Sequence, residues 1–178
     1  MMRQSQLIYL IGPSGVGKTT CALAAAAAFN ANLCKLDDLC RGRTNDWDFC
    51  REAILRAENN DEGNQRLDII DVGAGTQHDR NRELADFLRI RRNQAMLIWA
   101  PPAEVIKRNP LGPQRNFDEY LRTEYTSREV LYSIPSHRLD ISGLPAIAAE
   151  ERFTDYLAEN SFARHDEESG FRPLPIRT

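Results

Sequence analysis

With 178 residues, a formal net charge of −3 and 42% hydrophobic residues, the chain has the size and apolar content of one globular domain. The near-neutral balance argues against a nucleic-acid or membrane surface, and no apolar run approaches the roughly 20 residues of a membrane span. The opening Met1-Met2-Arg3-Gln4-Ser5-Gln6 does not read as a signal peptide, so a cytoplasmic protein is expected.

The first element, Leu7-Ile8-Tyr9-Leu10-Ile11, is a short apolar run rich in β-formers and reads as a buried strand. It runs into Gly12-Pro13-Ser14-Gly15-Val16-Gly17-Lys18-Thr19, which fits G-x-x-x-x-G-K-[ST], the P-loop. Thr20, Cys21 and an alanine run from Ala24 to Ala28 follow. Alanine is the best helix former, so a helix is expected from near Gly17. Its small side chains would let it lie close on a sheet.

Strand, glycine loop and helix are the context this motif needs. Backbone N–H groups of residues 14 to 19 would curl around a nucleotide β-phosphate, aided by the helix N-terminus. Lys18 would bridge β- and γ-phosphates, and Thr19 would offer its hydroxyl to Mg²⁺. The expected nucleotide-binding set is Gly12, Ser14, Gly15, Val16, Gly17, Lys18, Thr19 and Thr20, with ATP and Mg²⁺ as cofactors.

Leu33-Cys34-Lys35-Leu36 reads as a second strand closing on Asp37-Asp38. After a polar loop at 41–46, Asp46 is placed to cap a helix from Trp47, with Phe49, Ile54 and Leu55 as its apolar stripe. A second polar loop, 59–65, precedes a third strand over Leu67 to Val72, followed at once by Gly73-Ala74-Gly75-Thr76. Residues 79–90 carry Leu84, Phe87 and Leu88 at helical spacing. A fourth strand spans Ala95 to Ala100 and stops at Pro101-Pro102. A short helix from Ala103 to Arg108 ends at the turn-rich Asn109-Pro110-Leu111-Gly112-Pro113. Residues 116–132 read as helical, His137 to Ile141 as a fifth strand, and the stretch after Pro145 as a helix to about residue 159.

Alternating strands and helices imply an α/β three-layer sandwich with a mostly parallel five-stranded sheet. In such sheets ligands bind beyond the carboxyl ends of the strands. The P-loop, Asp37-Asp38, Asp71 and Gly73-Ala74-Gly75 all collect there. Asp71 ends the third strand, where a carboxylate would hold Mg²⁺ directly or through water, or else cap the turn at Gly73. Cys21, Cys34, Cys40 and Cys50 show no C-x-x-C pairing and no neighbouring histidine, which points to reduced thiols and not to a zinc site. Residues 1–160 read as the nucleotide-binding domain and 161–178 as a polar tail.

Further features stand in order along the chain: Arg128-Glu129-Val130-Leu131-Tyr132 on a helix, and Asp140-Ile141-Ser142-Gly143 closing the last strand. With the P-loop, Leu36-Asp37-Asp38 and Gly73-Ala74-Gly75, they resemble the shikimate kinases and their close relatives among P-loop phosphotransferases, over about residues 5–158. The resemblance implies an ATP-dependent phosphotransferase acting on a hydroxyl of a small, shikimate-like metabolite. It implies that Asp38, or Asp37 one residue earlier, accepts a hydrogen bond from the acceptor hydroxyl and helps draw off its proton. Gly73, Ala74 and Gly75 would present bare backbone to a polyhydroxy ring, and Arg51, Arg115 and Arg128 would meet a substrate carboxylate.

The sequence also departs from that family. Ala74 stands where the family has its middle glycine. Arg51 lies one residue later than the family's arginine, a rotation of about 100° on a helix. The lid, near residues 108–117, is short, with Arg108 or Arg115 as its arginine. The P-loop also resembles that of a guanylate kinase, which leaves a nucleoside, nucleotide or polynucleotide 5′-hydroxyl kinase as a second reading. Against nucleic acid, Arg89-Ile90-Arg91-Arg92 is the only basic run that could serve. A third reading is an ATP-binding regulatory protein with little catalysis. No membrane partner is expected, and the sequence leaves the oligomeric state open.

Overall fold

The computed structural model describes residues 6–40, 47–59, 67–73, 81–109 and 116–160. Ala74, Gly75, Arg115, the expected cap at Asp46 and the tail at 161–178 lie outside them.

Five strands form one sheet: β1 (Gln6–Ile11), β2 (Asn32–Lys35), β3 (Leu67–Asp71), β4 (Ala95–Trp99) and β5 (His137–Asp140). Their order is β2-β3-β1-β4-β5, and every pairing is parallel. Side chains alternate across the sheet as the pleat requires. Ile8 and Leu10 of β1, Ile69 of β3 and Met96 and Ile98 of β4 enter one core. Tyr9, Ile11, Ile70, Ala95 and Leu97 enter the other. Two helix layers therefore bury both faces, which is why the strands read as continuous apolar runs.

The first layer holds α1 (Lys18–Phe29) and α8 (Ala146–Glu159), packed against each other. Cys21, Ala22 and Ala25 of α1 meet Ala149, Phe153 and Leu157 of α8 in that core. Ala27 and Ala28 face solvent, so the alanine run lends helix propensity throughout but close packing at one stripe only. The second layer holds α3 (Trp47–Asn59) and α4 (Asn81–Ile90). The stripe of α3 centres on Cys50 and Ile54, both fully buried, with Phe49 and Leu55 only half-buried at its margins.

Two expected elements change. The second strand stops at Lys35, and Leu36 opens a one-turn helix, α2 (Leu36–Leu39). Leu36 is fully buried; seating it in the core turns the chain there, so Asp37 and Asp38 stand on a helical turn and not on a strand end. The expected helix over 116–132 is broken into α6 (Phe117–Glu124), a 3₁₀ turn (Thr126–Arg128) and α7 (Glu129–Tyr132). Tyr125 breaks it, with φ −120° and ψ −64°. Its hydroxyl donates to the Ala100 carbonyl at 2.8 Å, and its ring packs edge-on to Trp99. The remaining helix, α5 (Pro102–Arg108), begins with proline in its first turn, where no N–H is missed. No helix among the described residues is long and apolar enough to cross a membrane.

Candidate active site

The register sets the site. Leu10 of β1 and Lys35 of β2 both lie level with Asp71 of β3. The chain leaves each strand on the same edge of the sheet, so the P-loop, the α2 turn and Val72-Gly73 converge beyond it.

The P-loop follows Ile11. Gly12 adopts φ +149°, and a Cβ there would stand 2.3 Å from the Ile98 carbonyl oxygen of β4. Only glycine lets the loop leave the sheet so close to a neighbouring strand. Gly17 precedes α1 with φ 110°, and no side chain caps the helix. The first N–H groups of α1 thus remain for a phosphate.

Lys18 is 6% exposed, and its Nζ donates to the Gly12 and Pro13 carbonyls at 2.9 Å each. Burial pulls its ammonium below the ordinary lysine range, with the Asp71 carboxylate opposing that shift. Thr19, the next residue, donates its hydroxyl to Asp71 Oδ2 at 2.5 Å. Asp71 is 4% exposed, and its Oδ1 has no hydrogen-bond partner among the described residues. A buried carboxylate oxygen without a donor is a costly arrangement. A hydroxyl at the end of the phosphate loop beside a carboxylate at the end of β3 is a pair of the oxygen ligands Mg²⁺ takes alongside nucleotide phosphates, so the residues present fit that ion.

A cleft of about 300 Å³ opens here, lined by Ser14, Gly15, Lys18, Thr19, Lys35, Asp37, Asp38, Asp71 and Gly73. The α2 turn sets the two aspartates apart. Asp38 is exposed and Asp37 is half-buried, with Asp37 lying directly over Gly73. A Cβ at Gly73 would fall 1.9 Å from the Asp37 carboxylate. Glycine at 73 therefore makes room for Asp37.

The structure gathers Ser14, Gly15, Lys18, Thr19, Asp38, Asp71 and Gly73 of the expected site around the cleft. Gly12, Val16 and Gly17 belong to the loop without lining it; the Val16 side chain is buried in the core. Thr20 is exposed on α1 outside the lining. Two arginines depart from expectation. Arg51 is exposed on α3, one position past the buried Cys50, and is not among the residues that line the cleft. Arg128 is 1% exposed and bound to Glu124 at 2.7 Å, so its guanidinium already holds a carboxylate from its own chain. Lys35 lines the cleft without having been singled out; its place as the last residue of β2 was the available signal.

At the far side, α5 ties down the turn after β5. Arg108 Nη2 donates to the Ile141 carbonyl at 2.9 Å, and Gly143 N–H donates to Glu104 Oε2 at 2.6 Å. Asp140 closes that turn by accepting from Ser142 N–H at 2.9 Å.

This topology with a glycine loop after β1 defines the class: an α/β protein of P-loop architecture. Residues 8–41 match the family described as ATPase family associated with various cellular activities (AAA). No curated protein matches the chain by sequence. Among solved structures it is similar to shikimate kinase from Bacteroides thetaiotaomicron, with 19% identity, a TM-score of 0.65, and 87% of this chain and 97% of that one covered. It is similar to the Deinococcus radiodurans tunicamycin resistance protein, with 18% identity, a TM-score of 0.61, and 86% and 96% coverage. A gluconokinase from Sinorhizobium meliloti 1021 aligns with 16% identity, a TM-score of 0.50, and 90% and 98% coverage. More particularly, then, the chain has the fold of the shikimate kinases and related P-loop kinases.

Proposed function

We propose that this protein is an ATP-dependent phosphotransferase whose acceptor is a hydroxyl of a small hydroxylated molecule. The observation that carries the reading is the meeting, in one cleft, of a phosphate loop, the Thr19–Asp71 pair and a half-buried carboxylate, Asp37. ATP lies with its phosphates on the P-loop and α1. Thr19 and Asp71 hold Mg²⁺, which supplies charge neutralisation to the phosphates when bound. Asp37 orients the acceptor hydroxyl and takes its proton as the oxygen attacks the γ-phosphorus and the bond from that phosphorus to the β-phosphate oxygen breaks, with ADP as the leaving group. Lys18 moves from its loop carbonyls to the phosphates and offsets charge spread over the transferring group. Positioning and electrostatics of this kind supply most of phosphoryl-transfer catalysis.

Geometry favours Asp37 over Asp38 as the base, because Asp37 is the one held against Gly73. With Arg128 committed to Glu124, Lys35 is, besides Lys18, the cation that lines the cleft among the described residues. Shikimate and gluconate, the acceptors suggested by the similar kinases, are the first to test, followed by neutral polyols, nucleosides and a 5′-hydroxyl oligonucleotide. The measurement is ADP formation from Mg·ATP with each acceptor. The expected outcome is acceptor-dependent ADP release, abolished in Lys18→Ala, slowed by roughly 10²-fold or more in Asp37→Asn and only mildly by Asp38→Asn. Nucleotide binding with no acceptor stimulating ADP release would instead support the regulatory reading.

A further inference from the structure

Among the described residues, one P-loop residue has both of its backbone groups bonded from outside the loop. Ser14 N–H donates to Glu124 Oε2 at 2.9 Å, and the Ser14 carbonyl accepts from the Tyr120 hydroxyl at 2.8 Å. Both backbone groups of Ser14 are thus bonded to α6, more than 100 residues along the chain. Glu124 is itself fixed: Arg128 Nη1 donates to the same Oε2 at 2.7 Å. Tyr120, Glu124 and Arg128 are 2%, 3% and 1% exposed. Tyr120 and Glu124 lie one helical turn apart on α6, and Arg128 lies four residues further on, past the break at Tyr125.

A loop of glycines has many conformations, and only one points successive N–H groups at a phosphate. Holding both peptide groups of one loop residue removes much of that freedom before the ligand arrives, and pre-organisation of this kind appears as affinity. The Ser14 N–H bond is charge-assisted and part-buried, hence stronger than a neutral one. Arg128 prevents the Glu124 carboxylate from turning away and balances its charge.

We infer that Tyr120 and Glu124, with Arg128 behind them, are positioning residues for the nucleotide site: they set the P-loop backbone through Ser14 and thereby raise nucleotide affinity. The inference rests on the P-loop reading above but not on the identity of the acceptor.

The test is titration of the full chain with Mg·ADP, with thermal melts of each ligand-free variant. Tyr120→Phe keeps the ring and removes only the hydroxyl; loss of one hydrogen bond worth about 1 kcal/mol predicts about fivefold weaker binding. Glu124→Gln keeps an acceptor for Ser14 N–H and Arg128 but strips the buried guanidinium of its counter-charge. It should melt lower and bind Mg·ADP more weakly than wild type, but less weakly than a variant that leaves Ser14 N–H with no acceptor, because a neutral acceptor replaces the charged one. The double variant E124M/R128M removes the ion pair as a unit, leaving no orphaned charge. It should fold and bind about tenfold or more weakly, since Ser14 N–H then lacks its acceptor. A purely structural role predicts the reverse: melting temperatures that track the substitutions and unchanged affinity. Tyr120→Phe and E124M/R128M binding within twofold of wild type would overturn the inference while leaving the P-loop reading intact. No Mg·ADP binding by the wild-type chain would overturn both.

Discussion

Lys18 shows what a phosphate site costs the protein that carries it. Its ammonium is buried, and burial lowers its proton affinity in the folded state relative to the unfolded chain. Below the lowered folded value both states carry the charge and the destabilising effect is full; between that value and the ordinary lysine value of 10.5 the unfolded chain binds more protons, so the effect fades as pH rises. Lys18→Met should therefore melt higher than wild type at pH 7 without ligand, by about 2–4 °C for each kcal/mol relieved in a domain of this size. The gap should narrow towards pH 10, and the variant should gain nothing from Mg·ADP. A variant that melts lower at pH 7 would mean that the two loop hydrogen bonds of Nζ outweigh its desolvation. The thiols give a second residue-scale expectation. Burial pushes Cys21 up to about 12 and Cys34 up to about 11, and Cys40, also buried and beside Cys50, up to about 12. At pH 8 about one Cys34 thiol in a thousand is ionised, so alkylation of the native protein should run roughly a hundredfold slower than that of free cysteine. All four thiols should react once urea unfolds the chain. A fast-reacting native thiol would contradict the burial of this cluster.

At the scale of elements, the informative turn is α2. Two aspartates after Leu33-Cys34-Lys35-Leu36 read equally well as a strand end or as the first turn of a helix. The choice was made by Leu36 entering the core, which depends on residues from α3 and α4 that no local pattern exposes. The P-loop was legible because its chemistry is local: glycines, a lysine and a hydroxyl within eight residues, between a strand and a helix. Asp71 was legible for the same reason, being the polar end of an apolar strand. The break at Tyr125 was not, because its cause is a bond to the Ala100 carbonyl on a distant strand end. Glu124 was hidden for a similar reason; on the helix it reads as a surface residue, and its partner is the P-loop. The α2 turn also makes a test. In Gly73→Ala the new methyl would displace the Asp37 carboxylate, the movable end of a side chain and not a backbone atom. Stability should change little, Mg·ADP affinity should hold within about threefold, and phosphotransfer should fall by roughly 10²-fold, the scale of losing a positioned base. Full activity in Gly73→Ala would remove Asp37 from the reaction and return attention to Asp38.

For the whole molecule, the site joins pieces of both helix layers through one sheet edge, so a ligand there should stabilise the fold globally and not one loop. Mg·ADP at 100 times its dissociation constant should add about 2.7 kcal/mol, or about 5–11 °C in melting temperature for a domain of this size. How that gain divides between nucleotide and metal is the sharper question. Among the described residues no donor meets the buried Asp71 Oδ1, while Oδ2 takes the Thr19 hydroxyl. An unsatisfied buried carboxylate oxygen is tolerated where a cation, or water held by one, will meet it. If so, ADP with EDTA should give only part of the shift, and added Mg²⁺ should supply the rest. Asp71→Asn should keep the EDTA shift and lose most of the Mg²⁺ increment. It should also melt lower than wild type without ligand, because the buried Lys18 ammonium loses the carboxylate that opposes its shift. Equal shifts with Mg²⁺ and with EDTA in the wild type would take Thr19 and Asp71 out of the metal's shell. Asp71 would then be a capping group for the Val72-Gly73 turn, and the charge on the transferring phosphate would fall to Lys18 and Lys35 among the described residues of the cleft.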